Sequence, residues 1–458
     1  MAEDTRPTPF NLITFLPYAC KQLEASFDVK IETRILEEYV SAQEKSKKTN
    51  RDKSIMQNAS PTLMSPDKIE SPVVFLSDDQ DLEIVCICAV CDTAGRLVEM
   101  LFQRTNIPRL LLKVITMCIP YQPYLNKISI RWCTIDGYTL HEITNCLPQS
   151  HITEICLNDS PVLQRNYHLL LEYQTQLKCL SLDRCELEDG DCAAIAAKLV
   201  YRLPASRSLC VLSLASNSIS DEGATALATM LRSNRQLRYL NLSGNLITNT
   251  GALAIFHSLM EFSMTYEEII SKRTRNIQYI RLQKEVYTKC YNELITTFQS
   301  RKSIDERSTG RKKIMPAPAR AQRTALVSSR PSTADNVALK AEMMTLELIG
   351  AYNDPFCDSD TVHKNEYLYS IGNMSLSYLN LSHNYLDHCS IMKLVEVMRY
   401  QSNLPKKSQS GLVRFVIEGN PLPLCSRELD ALQDLADTAG ANRLGRINKS
   451  EKFKGKLR

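Results

Sequence analysis

Long apolar runs and a secretory start are missing from this chain of 458 residues. No stretch of about 18 consecutive apolar residues occurs, so we expect no transmembrane helix and no membrane partner. The first 30 residues also lack a basic start followed by an apolar core, which argues against a signal peptide and for a cytoplasmic location. In that reducing compartment, the 16 cysteines are predicted to be packed free thiols.

Catalytic and cofactor-binding motifs are lacking as well. The sequence has no phosphate-binding Gly-rich loop, no Gly-x-Ser-x-Gly turn and no His-Glu-x-x-His helix, since His141-Glu142 has no second histidine at that spacing. The only run that resembles a metal site is Cys86-x-Cys88-x-x-Cys91, and no fourth ligand follows it at a typical spacing. We therefore predict a protein that is not an enzyme and that uses no metal or cofactor.

What the sequence does contain is one frame that returns seven times. It reads Leu-x-x-Leu-x-Leu, then a slot for a small polar residue, then another aliphatic residue two positions later. All 28 frame positions, which lie eight, five and three residues before the slot and two after it, hold apolar side chains. The frames begin at Leu125, Ile152, Leu177, Leu209, Leu237, Leu376 and Leu412, and their slots hold Cys133, Ser160, Cys185, Asn217, Asn245, Asn384 and Asn420.

This frame is the signature of leucine-rich repeats, in which each unit supplies a short strand and a returning helix. The frames are 27, 25, 32, 28, 139 and 36 residues apart, and apolar residues four apart after the slots predict the helices. The long period resembles the ribonuclease-inhibitor class of repeats. The predicted fold is thus an α/β solenoid, a leucine-rich repeat horseshoe with a curved parallel sheet of about seven repeats, interrupted by a helical and disordered insertion.

Composition and periodicity divide the chain into segments. The block 71–119 is strongly apolar, and we expect a helix over 95–104 within it, as part of a cap on the first repeat. The 139-residue gap indicates an insertion that begins with a long amphipathic helix, which either packs on the solenoid or docks a second protein. The predicted segments are a short helical segment 1–40, a flexible linker 41–70, an N-terminal cap 71–119, repeats one to five over 120–262, an insertion 263–375 (helix 263–300, disordered basic stretch 301–336, helix 337–349), repeats six and seven over 376–425, and a C-terminal cap with a basic tail over 426–458.

The net charge of +4 is unevenly distributed, because two tracts of the chain are strongly basic. Residues 301–331 hold nine Lys or Arg against two acids, and residues 441–458 hold seven against one, which leaves about −9 for the rest of the chain. Basic tracts attract anionic partners such as acidic protein surfaces, yet they are also common in solvated linkers. Both interpretations stay open, and we do not expect a nucleic-acid partner.

Surface recognition is the function that remains. The frame leucines point inward, so the residues six, four and two positions before each slot are predicted to line the concave face of the sheet. Tyrosine, tryptophan and arginine are frequent energetic anchors of interfaces, although aromatic residues also favour strands for packing alone. The predicted protein-binding residues are Lys127, Arg131, Trp132, Asp183, Tyr239, Asn241, Tyr378, Asn380 and Arg414.

The run LCVLSLASNSISDEGATALATMLRSNRQLRYLNLSGNLITNTGALAI, a long charged insertion and then LSYLNLSHNYL resemble the leucine-rich repeat-containing protein 71 family. The upstream text YLNKISIRWCTIDGYTLHEITNCLP is similar to that family too, so the resemblance covers roughly residues 120–425. It implies a non-enzymatic protein associated with the axoneme of motile cilia or flagella, where its partners would be one or more axonemal proteins. The insertion departs from the family in being rich in helix formers at its start.

Two other functions are compatible with repeats of this class. Activators of the Ran GTPase use ribonuclease-inhibitor-type repeats, but a basic C-terminal region replaces their acidic one here. Tropomodulin-like caps of actin filaments carry a repeat domain after helical N-terminal segments. The sequence does not decide the oligomeric state or the identity of the partner.

Overall fold

The computed structural model describes residues 6–36, 83–308, 333–404, 411–422 and 427–438. The predicted linker 41–70 and the basic tail 441–458 lie outside these ranges. The chain separates into two compact units, and each is described by itself. The first unit is Met1–Phe262 together with Ile371–Arg458, and the second is Ser263–Ser370.

One mostly parallel sheet organises the first unit. Ten of the strands that the structure describes form this sheet, and their order across it follows the chain. Only the second strand (Glu83–Cys91) and the third (Leu97–Gln103) run antiparallel, and every other neighbouring pair is parallel. The described strands are β1 (Phe27–Ile35), β2 (Glu83–Cys91), β3 (Leu97–Gln103), β4 (Lys127–Arg131), β5 (Glu154–Cys156), β6 (Cys179–Ser181), β7 (Val211–Ser213), β8 (Tyr239–Asn241), β9 (Phe262–Ser263), β10 (Thr361–Lys364), β11 (Tyr367–Ser370), β12 (Tyr378–Asn380) and β13 (Arg414–Val416).

Helices return the chain between most of the parallel strands, as the apolar spacing after the slots predicts. Their buried residues and the frame leucines form one continuous core, in which Leu212, Leu214 and Leu227 are fully buried. The sequence-based prediction of a solenoid-like α/β fold is therefore confirmed. The described helices are α1 (Leu12–Gln22), α2 (Arg109–Cys118), α3 (Gly137–Cys146), α4 (Asp189–Lys198), α5 (Asp221–Ser233), α6 (Asn249–Ser258), α7 (Tyr266–Ser308), α8 (Thr333–Ile349), α9 (His388–Asn403) and α10 (427–438).

The slot asparagines tie each repeat to the one before it. The Asn245 Oδ1 atom accepts a hydrogen bond from the Ile219 backbone N–H, while its Nδ2 donates to the carbonyls of Leu214 and Leu242 at 3.0 Å. Asn217 and Asn384 bond to neighbouring turns in the same way. Because these backbone groups are buried, they need such partners, and a small polar residue in the slot supplies them.

The sheet continues across the insertion without a break in register. Strand β12 pairs directly with β8, so Tyr378 lies opposite Tyr239. The chain rejoins the repeats through Asn373, whose Nδ2 donates to the carbonyls of Leu231 and Asn234 at 2.8 and 2.9 Å. Strand β12 therefore lies next to β8, in the position that the strand of a directly following repeat would occupy.

The second unit contains two helices and a β-hairpin. Helices α7 and α8 enclose a small buried core of Cys290, Leu294, Val337 and Ala341. Strands β10 and β11 form the antiparallel hairpin. The backbone of α7 runs to Ser308, so residues 301–308 of the predicted disordered stretch are helical, and residues 309–332 lie outside the described residues.

Two predictions near the start of the chain are wrong. Residues 27–35 form strand β1, where the spacing of Ile31 and Ile35 indicated a helix. Residues 97–103 form strand β3, where a helix over 95–104 was expected. In 27–35 the charged residues alternate with Val29, Ile31 and Ile35, a two-residue period typical of a strand that the helix prediction overlooked. In 97–103 pairing with strands on both sides satisfies the backbone and buries the apolar side chains, which outweighs local helix propensity. Within the described residues no helix is both long and apolar enough to span a bilayer.

Candidate protein-binding face of the sheet

We call the strand residues six, four and two positions before each slot the open face, because they alternate with the buried frame residues. They form three rows that run across the strands. In the first row each residue lies opposite its neighbour in the pairing register, so separate repeats present one continuous line of side chains. From β3 to β13 this row is Glu99, Lys127, Glu154, Cys179, Val211, Tyr239, Tyr378 and Arg414.

Two tyrosines and an arginine stand together at the end of this row. The rings of Tyr239 and Tyr378 are stacked, with centroids 4.1 Å apart and planes 4° from parallel. The Arg414 guanidinium carbon lies 5.9 Å from the centroid of the Tyr378 ring. Cation–π contact and stacking both restrict side-chain motion, so the three groups form a preorganised aromatic and cationic surface.

The Tyr239 hydroxyl stays protonated at physiological pH. Burial raises the pKa of Tyr239 to about 12, and the adjacent Tyr378 contributes in the same direction. A neutral phenol donates and accepts hydrogen bonds, so Tyr239 adds a polar group to this aromatic surface.

The third row contains a carboxylate, Asp183, whose structural role was not predicted from the sequence. Asp183 Oδ1 accepts from Ser213 Oγ at 2.5 Å and from the Ala215 N–H at 2.9 Å, while Oδ2 accepts from Asn158 Nδ2 and Ser181 Oγ at 3.0 and 3.1 Å. Both oxygens are thus engaged with neighbouring strands. Asp183, predicted as a binding residue, therefore links neighbouring strands of the open face through hydrogen bonds.

Other predicted residues also have internal partners. Asn241 Nδ2 donates to Ser213 Oγ at 2.9 Å, and Asn380 Oδ1 accepts from the Ser382 N–H at 3.0 Å. Lys127 Nζ lies 3.3 Å from a carboxylate oxygen of Glu99. These three side chains lie on the open face and already interact with neighbouring residues of that face.

Trp132 and Arg131 lie at the carboxyl end of β4. Trp132 has a φ of 54° and a side chain that is 45 % exposed, and the Arg104 guanidinium lies 5.6 Å from its ring centroid. Arg131 is half-buried in the third row, beside Gln103 of β3. The predicted binding residues are therefore split, since Tyr239, Tyr378 and Arg414 cluster at one end of the sheet and Trp132 lies far from them along the sheet order.

Glu99 and Arg104 were missed because β3 was expected to be helical. The missed signal is the frame itself in a modified form, with apolar residues at Leu97, Met100 and Phe102 and a threonine in the slot at position 105. This frame begins 28 residues before the one at Leu125, which is the usual spacing. The frame was not recognised because methionine and phenylalanine stand in place of leucine.

The cysteine run Cys86-x-Cys88-x-x-Cys91 lies along β2. Cys86 is exposed, Cys88 is half-buried and Cys91 is buried. In the parts of the chain that the structure describes, no group of three or more His, Cys, Asp or Glu residues is arranged to hold a metal ion. Of the thiols expected to be packed in the repeats, Cys133, Cys156 and Cys185 are buried and free, whereas Cys179 is free and half-buried.

Comparison with known proteins agrees with this architecture. Residues 205–228 and 233–256 match the family model for leucine-rich repeats. No curated protein matches the chain. Among solved structures, the chain is similar to "Leiomodin-1 Actin-Binding Site 2 (ABS2)" at 11 % identity and a TM-score of 0.33, over 64 % of this chain and 99 % of that one. A likeness of that size carries no argument about function, whereas the repeats themselves indicate a scaffold for protein interactions.

Proposed function

We propose that this chain is a non-enzymatic scaffold that holds a protein partner on the open face, anchored by Tyr239, Tyr378 and Arg414. The observation that carries the proposal is the stacked tyrosine pair with the arginine beside it. Tyrosine and arginine are the residue types that contribute most to interface energies, and a preformed cluster loses little conformational entropy on binding.

The neighbouring rows support an approach of the partner to the sheet. The second row is mostly small or amide side chains, among them Ser181, Ser213 and Asn241. Asn241 donates to Ser213, which in turn donates to Asp183, and these hydrogen bonds fix the surface beside the tyrosines. A partner therefore meets a rigid platform. Arg414 is exposed and gives this end of the row a positive charge.

The cellular setting is a further part of the proposal. The resemblance of the repeats and of the break after the fifth repeat to the leucine-rich repeat-containing protein 71 family supports a place in the axoneme of motile cilia or flagella. The partner would then be an axonemal protein in the cytoplasmic compartment of the cilium.

The test is proximity labelling from the full chain in a ciliated cell, with a Tyr239→Ala/Tyr378→Ala variant in parallel. We expect a subset of axonemal neighbours to be lost in the variant, because truncating both rings removes the anchor. A Tyr173→Ala variant is the matched control, since Tyr173 is 50 % exposed and lies on the connection between β5 and β6.

The same experiment can contradict the proposal in two ways. If the double variant folds normally and keeps every neighbour, the open face is not the binding site. If the neighbours are mainly small GTPases or actin regulators, the axonemal assignment is wrong, and assays of GTP hydrolysis and of actin pointed-end growth would follow.

A further inference from the structure

The first strand leaves one edge of the sheet without a strand partner in the part of the chain that the structure describes. β1 is nine residues long and pairs only with β2. The opposite edge strand, β13, has only three residues. An edge strand presents backbone N–H and C=O groups that can pair with another strand, and a long edge offers more of them.

Charges alternate along this edge in an order that is complementary to itself. Asp28, Lys30, Glu32 and Arg34 read acid, base, acid, base. Lys30 and Arg34 lie opposite Cys86 and Val90 of β2, and Cys88 lies opposite Glu32. Val90 in turn lies opposite Glu99 of the first row. All four charged residues, which alternate with Ile31, therefore project to the same side of the sheet as the open face, and the side chains of Lys30, Glu32 and Arg34 are 66, 51 and 53 % exposed.

We propose that β1 pairs antiparallel with β1 of a second copy of this chain, centred on Ile31, to give a two-fold symmetric dimer with a continuous sheet. In this register Asp28 faces Arg34 of the second copy and Lys30 faces its Glu32. Symmetry doubles each contact, so four opposite-charge pairs form on one face. On the other face Ile31 meets its own copy and Phe27 meets Ile35. A two-fold interface requires this kind of self-complementarity.

The charge order selects this register over its neighbours. A shift of two residues in one direction would place Lys30 against Lys30, and in the other direction Glu32 against Glu32. Like charges directly opposite each other destabilise a strand pair, and opposite charges stabilise it. Charges on an edge strand can also serve to prevent pairing. A run of one sign would prevent pairing in every register, whereas the alternating order favours one symmetric register.

Charge reversal tests the pairing with the full chain, by sedimentation equilibrium over a concentration series. Lys30→Glu creates two Glu–Glu contacts and should raise the dimer dissociation constant by at least about tenfold. Adding Glu32→Lys in the same chain restores opposite charges, so Lys30→Glu/Glu32→Lys should return the constant to near the original value. A higher salt concentration should weaken the unmodified dimer, because exposed ion pairs are screened.

Lys284→Glu is the matched control, because Lys284 is exposed on α7 and the net charge changes equally. It should leave the dissociation constant unchanged, and circular dichroism verifies that each variant is folded. The proposal fails if the chain is monomeric at every concentration, in which case the edge is protected or serves another protein. It also fails if Lys30→Glu has no effect, or if the double reversal does not restore the dimer.

Discussion

At the scale of the residue, the slot position holds different residue types in different repeats, but all of them make hydrogen bonds to the backbone. The slot residue holds Asn, Ser or Cys, and each bonds to backbone groups of adjacent turns. Ser160 Oγ accepts from the Cys133 N–H at 3.1 Å, and Cys185 Sγ lies 3.1 Å from the Leu157 carbonyl oxygen. A weakly polar thiol is adequate there because the slot is fully enclosed by the core.

Burial makes the slot thiols inert, which gives a prediction at the scale of the residue. Burial raises the pKa of Cys185 to about 12, so its thiol stays protonated at pH 8 and is a poor nucleophile. During brief alkylation of the folded protein at that pH, exposed Cys86 and Cys389 should react first. Peptide mapping by mass spectrometry measures the order.

Unfolding the protein in denaturant is the control, since every cysteine should then be alkylated. Rapid alkylation of Cys185 in the folded protein, at a rate similar to that of Cys389, would show that the slot is open to solvent.

At the scale of the element, two successive helices of the repeats each cap the helix that follows. The Asp189 carboxylate at the start of α4 accepts bonds from the Ser220 N–H and the Gly223 N–H, at the N-terminus of α5. Asp221 does the same for Thr248 and Gly251 at the start of α6. An anion at a helix N-terminus satisfies free N–H groups and complements the helix dipole, so successive repeats support each other's helices.

This arrangement explains the glycine six residues after the slot. A Cβ at Gly251 would lie 2.6 Å from the Asp221 Oδ1 atom and 2.9 Å from the Ala224 Cβ. The space that alanine would need is filled by the capping carboxylate and by the preceding helix. The preceding repeat therefore supplies the contact that leaves no room for a side chain here.

Gly251→Ala should therefore destabilise the protein by about 1–3 kcal/mol, because overpacking outweighs the better helix propensity of alanine. Gly190→Ala is the matched control, since a Cβ at Gly190 in α4 would meet no atom within 4 Å. It should be neutral or stabilise by up to about 1 kcal/mol. Urea unfolding followed by circular dichroism measures both. Equal effects of the two substitutions would mean that contact with Asp221 does not decide the outcome.

At the scale of the whole molecule, the sheet of the first unit is continuous without any residue of the insertion. The Asn373 N–H donates to the Ser258 carbonyl at 2.9 Å, so the chain returns beside the end of α6, close to where it left. β8 and β12 are paired as if they were consecutive. Closing a loop costs entropy that rises only slowly with its length, so a long insertion at this point is tolerated.

Replacing residues 264–370 with a short Gly-Ser linker should leave the repeat unit folded. We expect cooperative thermal unfolding within about 5 °C of the full chain, because the strand register and the core of the first unit do not depend on the removed residues. Differential scanning calorimetry measures this. Loss of cooperativity would show that the repeats need the insertion.

The same variant separates two roles of the insertion. If it loses some neighbours in proximity labelling while the Tyr239→Ala/Tyr378→Ala variant loses others, the insertion contacts a second protein, which is one of the two roles that the sequence left open. If it keeps every neighbour, the hypothesis of a second docking site is wrong.

The sequence by itself determined the repeat frame, and with it the strand positions, the inward leucines and the rows of the open face. This was possible because the frame is a short local period set by hydrophobic burial. The frames that begin at Leu237 and Leu376 follow one another in the repeat order, which places Tyr239 and Tyr378 on consecutive strands in spite of the insertion.

Only the tertiary structure decided which residues of the open face are already engaged. Asp183 and Tyr378 look equally available in the sequence, yet one is saturated with hydrogen bonds and the other stacks on an aromatic ring. It also decided that 97–103 pairs as a strand. These outcomes depend on contacts between residues far apart in the chain, and such contacts can override the local propensity of a short segment.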